Sequence, residues 1–282
     1  MDMNCTSISD EQELFDVFHA TIPIPKFRKL TLGTNHLETL TDTVFDDVTF
    51  QDVRTLYGGT LTSVGPKTFI KSTSTLRVLY LHHNNLSEFP FDTLNQYTVL
   101  EYFSFSRNPI ESFPIIISPS LRNLYLGYAG YHTIPSDALG GLPNLEYFNT
   151  AGTAVHSMAN DLFMYLPKMT NIFMQSTGLT HLESRQFEVS SNVIHTIDLH
   201  ANQITTVDAD AFVGVQSGAI NLSDNKLTIL PEATWGILID SGVHLQLQGN
   251  ELECGCDVAW LVLEPLYHSL VDAAVCHSGE LL

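Results

Sequence analysis

The sequence predicts an α/β repeat solenoid, and three observations carry that prediction. A hydrophobic pattern returns at intervals of 21 to 25 residues along most of the chain. A second apolar landmark keeps phase with the first. After the last interval stands ECGCDVAWLV, residues 253–262, where two cysteines one residue apart precede a tryptophan. A period of this length marks stacked supersecondary units, since one unit cannot bury its own apolar face and must lean on its neighbours.

The repeat reads LRVLYLHHNNLSEF from Leu76, LEYFSFSRNPIESF from Leu100 and IHTIDLHANQITTV from Ile194. All three fit L-x-x-L-x-L-x-x-N-x-L-x-x-L, the leucine-rich-repeat pattern, with Ile, Val or Phe replacing Leu in places. Its asparagine slot runs through Asn35, Gly59, Asn84, Asn108, Ala129, Thr153, Thr177, Asn202, Asn225 and Asn250, giving ten repeats. Ten residues beyond each slot comes a large apolar residue: Phe45, Phe69, Leu94, Leu139, Phe163, Phe187, Phe212 and Trp235. Only the short repeat after Asn108 breaks this, with Ser118 in its place.

Each part of the repeat has a physical role. The alternation x-x-L-x-L-x-x has a period of two and predicts a short strand with one buried face. The asparagine then turns the chain, its amide bonding backbone groups left unpaired there. A looser return segment brings the Phe or Trp into the core from the convex side. The expected fold is therefore a curved leucine-rich-repeat solenoid with a parallel, concave β-sheet and a cysteine cap at its C-terminal end. Thr153 and Thr177 replace the asparagine bond in part; Ala129 and Gly59 cannot, so their turns are expected to be the weaker ones. Arg54 falls where an inward apolar residue belongs, and a local bulge bringing Val53 inward is expected there.

Composition excludes several function classes. The 282 residues are 44% hydrophobic, enough for a core, and carry 12 Lys plus Arg against 31 Asp plus Glu, a net charge of −19. A nucleic acid would be repelled, and no basic run offsets that. No stretch approaches the ~18 apolar residues of a membrane span. The start, MDMNCTSISDEQELF, is acidic and has neither part of a signal peptide. With no signal peptide there, a secreted protein would start after its leader in this numbering.

The four cysteines bear on compartment. Cys254, Cys256, Cys276 and His277 could be drawn as a zinc site, but nothing upstream supports it. A redox dithiol usually reads C-x-x-C on a helix. Structural closure by disulfide fits better and implies an oxidising compartment. Sequons at Asn4, Asn85 and Asn221 agree with that. Cys5 cannot reach the other three, because nine strand spacings of ~4.8 Å put the ends ~40 Å apart, whereas bridged Cα atoms lie within ~7 Å.

The run around Cys254, Cys256, Trp260, Leu261 and Cys276 resembles the C-terminal cysteine cap of extracellular leucine-rich-repeat proteins. That resemblance implies that the first cysteine pairs with the third, Cys254 with Cys276, and the second with a cysteine further on. It also implies that Trp260 covers the core of the last repeat. Further phrases, NCTSISDEQELFDVF, NNLSEFPFDTL, NPIESFPIIISPSL and CGCD-x-AWLV, extend the likeness over nearly the whole chain. Together they resemble the secreted arthropod proteins named after the non-catalytic, leucine-rich subunit of the Oplophorus luciferin 2-monooxygenase. Members of that group extend past both ends of this sequence with further cysteines, so both ends are expected to be shortened here, with Cys5 and Cys256 outside the cap bridge. The expected organisation is an N-terminal cap remnant over 1–25, repeats over 26–250 and an incomplete cysteine cap over 251–282.

Function is expected on the concave face, the usual ligand surface of a solenoid. Its strand positions carry Arg28 and Lys29, then Arg77, Tyr80, His82, Tyr102, Arg107, Arg122, Tyr125, Tyr128, Tyr147 and Phe173. Tyrosine and arginine are enriched at binding hot spots, although tyrosine also suits any half-exposed strand. Five of the twelve Lys and Arg fall here, none beyond Arg122. The expected partner is another protein, such as a catalytic subunit or a secreted or cell-surface ligand, with no nucleic acid and no cofactor. A receptor or adhesion ectodomain is the alternative. His195, Asp198, His200 and His244 invite a metal reading, but twelve histidines make such clustering cheap. No G-x-S-x-G, H-E-x-x-H or glycine-rich phosphate loop is present, and Asp208 with Asp210 reads as solvated acids in a convex loop, so catalysis is not expected.

Overall fold

The structure is a computed structural model that describes residues 1–20, 26–33, 36–55, 59–272 and 274–279. The slot residue Asn35 lies outside the described residues. The chain forms two compact units, Met1–Tyr131 with Gly141–Leu145, and His132–Gly140 with Glu146–Leu282.

The first unit stacks six parallel strands in chain order: Asp2–Cys5, Lys26–Leu32, Thr49–Thr55, Val78–Tyr80, Tyr102–Ser104 and Asn123–Tyr125. The second does the same with Tyr147–Asn149, Asn171–Phe173, Thr196–Asp198, Ala219–Asn221, His244–Gln246 and Val271–Asp272. The three-residue strands bury their middle residue, as the period-two pattern requires: Leu79, Phe103 and Leu124 in one unit, Phe148, Ile172, Ile197 and Ile220 in the other. The landmark residues after each slot are all buried. In the second unit Phe163, Phe187 and Phe212 follow one another at ring distances of 5.7 and 5.5 Å. Each such ring contributes roughly 2–3 kcal/mol of transfer free energy relative to exposure.

The asparagines act as the sequence requires, and in more detail than it tells. Asn108, Asn202, Asn225 and Asn250 each donate from Nδ2 to the carbonyl three residues back and to the equivalent carbonyl one repeat earlier. Their Oδ1 accepts the N–H two residues after the preceding slot: Leu86, Leu179, Ile204 and Leu227. Thr177 copies the first of these bonds, Oγ1 to the Met174 carbonyl at 2.9 Å. The residue before the slot is left-handed in eight successive repeats, from His83 (φ 61°) to Gly249 (φ 77°). That bend lets its N–H continue the ladder, as Arg107 does to Gly127 and Ala201 to Ser223.

Two expectations need correction. The turn at Ala129 recovers one of the asparagine's bonds, because the buried Tyr131 hydroxyl donates to the Leu126 carbonyl, three residues before the slot, at 3.1 Å. Gly59 fits for a steric reason, since a Cβ there would run into the Asn84 carboxamide. Val53 does turn inward, fully buried, but without a bulge. The pairing of Lys26–Leu32 with Thr49–Thr55 keeps one offset throughout, with Leu30 opposite Val53 and Thr31 opposite Arg54. Ser118, the odd residue of the short repeat, is buried with no partner for its hydroxyl.

The ends are closed differently. The helix Glu11–His19 is capped by Asp10, which accepts from the Glu13 N–H, and lays Leu14 and Phe18 on the first repeats. The Phe18 ring meets Phe45 edge-on at 5.0 Å. At the other end Val258 and Leu261 are buried, while Trp260 is only half-buried and donates from its indole to the Leu230 carbonyl. Trp260 therefore clips the cap to the last repeat, and its neighbours fill the core. Cys254 and Cys276 form a disulfide; Cys5 is buried, Cys256 exposed, and neither belongs to it. Burial pushes the Cys5 thiol up to about 11. Among the described residues no helix is long and apolar enough to cross a membrane.

Candidate protein-binding face

Parallel pairing in register sets the residues of the outer sheet face in rows. In the first unit one row is Arg54, Tyr80, Ser104 and Tyr125, and the row beside it is Asp52, Val78, Tyr102 and Asn123. Ser104 is small, so Tyr80 and Tyr125 meet above it, edge to face, with ring centroids 6.5 Å apart. The Arg54 guanidinium lies over the Tyr80 ring at 4.8 Å and is held by the Asp52 carboxylate at 2.8 Å. That hydrogen bond is the main cause of the raised Arg54 pKa. Burial, ahead of the nearby Arg54 charge that opposes it, raises the Tyr80 phenol. His82 adjoins Tyr80 at 5.9 Å; burial, then His83 and Arg54, lower its pKa.

The basic character of this face is largely matched locally. Arg77 makes two bonds to the Glu101 carboxylate, Arg28 pairs with Asp2 and Arg54 with Asp52. Arg122 is exposed immediately before the Asn123–Tyr125 strand, its backbone N–H donating to the Glu101 carbonyl. Arg107 and Tyr128 stand apart from these tyrosines. They occupy the left-handed positions of the turns, where the Arg107 guanidinium lies 3.9 Å from the Tyr128 ring. In the second unit Tyr147 and Phe173 stack at 4.8 Å. Further along that face the Asp198 carboxylate accepts from the His200 backbone N–H and lies 2.9 Å from its Nδ1, while His195 and His244 are exposed.

Arg54, Asp52 and Ser104 are the contributors that sequence reasoning missed. Arg54 looked inward because the repeat was aligned on Gly59. The signal that could have placed it is Asp52-x-Arg54, an opposite-charge pair two apart and so on one strand face. Glu101 could have been found from its place one repeat beyond Arg77.

A family model described as Leucine Rich Repeat matches residues 75–96. The Oplophorus-luciferin 2-monooxygenase non-catalytic subunit of Oplophorus gracilirostris is 32% identical over 268 residues, spanning 94% of this chain and 74% of that protein. The chain belongs to that leucine-rich-repeat family. Among solved structures, a chain of the octameric complex of Latrophilin 3, Unc5D and FLRT2 (LRR) superposes with a TM-score of 0.77 at 17% identity. It covers 98% of this chain and 84% of its own, which shows the same leucine-rich-repeat solenoid fold.

Proposed function

We propose that this chain is an extracellular, non-catalytic leucine-rich-repeat protein that binds another protein through the tyrosine-bearing sheet face of its first unit. The observation that carries this reading is the Tyr80–Tyr125 pair, propped by Arg54 and Asp52, with Tyr102 alongside. Aromatic rings already held in place lose little conformational entropy on binding, which makes such residues effective anchors. Arg77 and Arg122 flank the tyrosines, and Tyr147 with Phe173 offers a separate aromatic contact on the second unit. The relative's description as a non-catalytic subunit supports a role in assembly. The Cys254–Cys276 disulfide supports an oxidising compartment.

The test begins with the partner captured from the native secretion and identified by mass spectrometry. Alanine at Tyr102 and at Tyr125 is expected to weaken it by about tenfold or more, the ~1.4 kcal/mol scale of a modest hot spot, with the melting temperature unchanged. Undiminished affinity in both variants would place the binding surface elsewhere.

A further inference from the structure

Three asparagines carry the N-x-S/T pattern, and their surroundings differ. Asn221 is half-buried between Asp198 and Gln246 of the neighbouring strands, and its carboxamide oxygen accepts from both the N–H and the hydroxyl of Ser223. Asn4 lies in the strand Asp2–Cys5, its oxygen accepting from the Thr6 N–H. Asn85 and Ser87, by contrast, are both exposed at a turn. The backbone at Asn85 is nonetheless firmly set: its N–H donates to the Leu61 carbonyl, and the preceding Asn84 is buried and bonded to Leu81 and Leu61.

Asn85 forms one wall of a shallow depression of about 490 Å³, with His83, Arg107, Pro109, Tyr128 and Gly130 around it. Its surface is flat and has donors at the rim. A guanidinium lying on an aromatic ring, as Arg107 does on Tyr128, keeps its N–H groups directed outward in its own plane. Tyr128 is 50% exposed, a large ring left open beside a sequon. A pyranose matches such a surface, because it presents C–H groups on its face and hydroxyl and acetamide oxygens around its edge. Distances fit as well. Parallel strands lie ~4.8 Å apart, so Arg107 stands one spacing and Tyr128 two spacings from the equivalent His83, with Asn85 two residues beyond it.

We propose that Asn85 carries an N-linked glycan whose first two sugars lie in this depression, the first over Arg107 and the second against Tyr128. Attachment needs a lipid-diphosphate-linked oligosaccharide as donor. The Asn85 Nδ2 attacks the anomeric carbon, the C–O bond to the diphosphate breaks, the lipid diphosphate departs and one amide proton is released. The glycan then covers the turn while leaving Tyr80, Tyr102 and Tyr125 open. The proposal rests on the extracellular reading.

The full chain, secreted from insect cells behind a host signal, gives glycan occupancy at all three sequons by glycopeptide mass spectrometry. The native glycoprotein is then treated with peptide-N-glycosidase and release is followed site by site. Asn85 is expected to be occupied, and Tyr128→Ala is expected to speed release there about tenfold, the factor lost with a packed form favoured by ~1.4 kcal/mol. Tyr128→Asn, which suits the left-handed backbone, should behave the same way and guards against misfolding of the alanine variant. An unoccupied Asn85 overturns the proposal, as does release at equal rates from the parent and both variants. Because the host signal imposes secretion, a native protein found only in the cytosol would sink the extracellular reading and leave the packing result standing.

Discussion

At Ala129 the amide that bonds the turn in other repeats is missing, and the Tyr131 hydroxyl takes over one of its bonds, to the Leu126 carbonyl. Tyr131 stands two residues after the slot, where Leu86, Ile110, Leu179 and Ile204 stand in other repeats. The signal was thus in the sequence: a polar aromatic in a leucine position, in a repeat without its asparagine. What could not be read was the direction of the hydroxyl, which depends on Phe113 packing edge-on against the ring at 5.1 Å. Tyr131→Phe keeps that packing and leaves a buried carbonyl without the hydroxyl. The loss of stability is expected to be about 1–3 kcal/mol in urea unfolding. A change within experimental error would mean that the carbonyl finds another donor. Arg54 is similar on the sheet face, where Asp52-x-Arg54 was legible in the sequence and the strand register set it opposite Tyr80.

At the scale of the element, the repeated unit is a strand followed by a left-handed residue and a bonded asparagine. Strand, slot and landmark were all legible, because hydrophobic periodicity and a turn-forming amide leave direct marks on the sequence. The left-handed residue was not. It is glycine at 152 and 249 but histidine, arginine and tyrosine at 83, 107 and 128, so no residue type reveals it. Backbone geometry imposes it, since the chain must bend away from the sheet while its N–H still reaches the next repeat. Asn202 ties its own turn to the repeat before it through Leu179, Met174 and Leu199. Asn202→Ala is expected to cost about 4 kcal/mol, since several buried backbone groups lose their partner together. Asn202→Thr should recover roughly half, by the bond that Thr177 already makes to Met174. Equal losses for the two variants in equilibrium unfolding would refute this account of the threonine slots.

At the scale of the whole molecule, stability in a repeat protein is close to a sum over neighbouring contacts, so a loose end costs more than its size suggests. The Cys254–Cys276 bridge closes a separation of 22 residues. Removing it by Cys254→Ala with Cys276→Ala is expected to cost about 3 kcal/mol. Hydrogen exchange should rise first in the strands His244–Gln246 and Val271–Asp272, next to the cap. Faster exchange beginning near the helix Glu11–His19 would contradict nearest-neighbour coupling. By itself the sequence determined the repeat, the buried landmarks and the cysteine cap, because each depends on residue type at a regular spacing. The tertiary structure alone decided which tyrosines meet over Ser104, which arginines are paired, and that Arg107 and Tyr128 form a shelf beside Asn85. Those contacts join residues one or two repeats apart, and only the register of parallel strands brings them together.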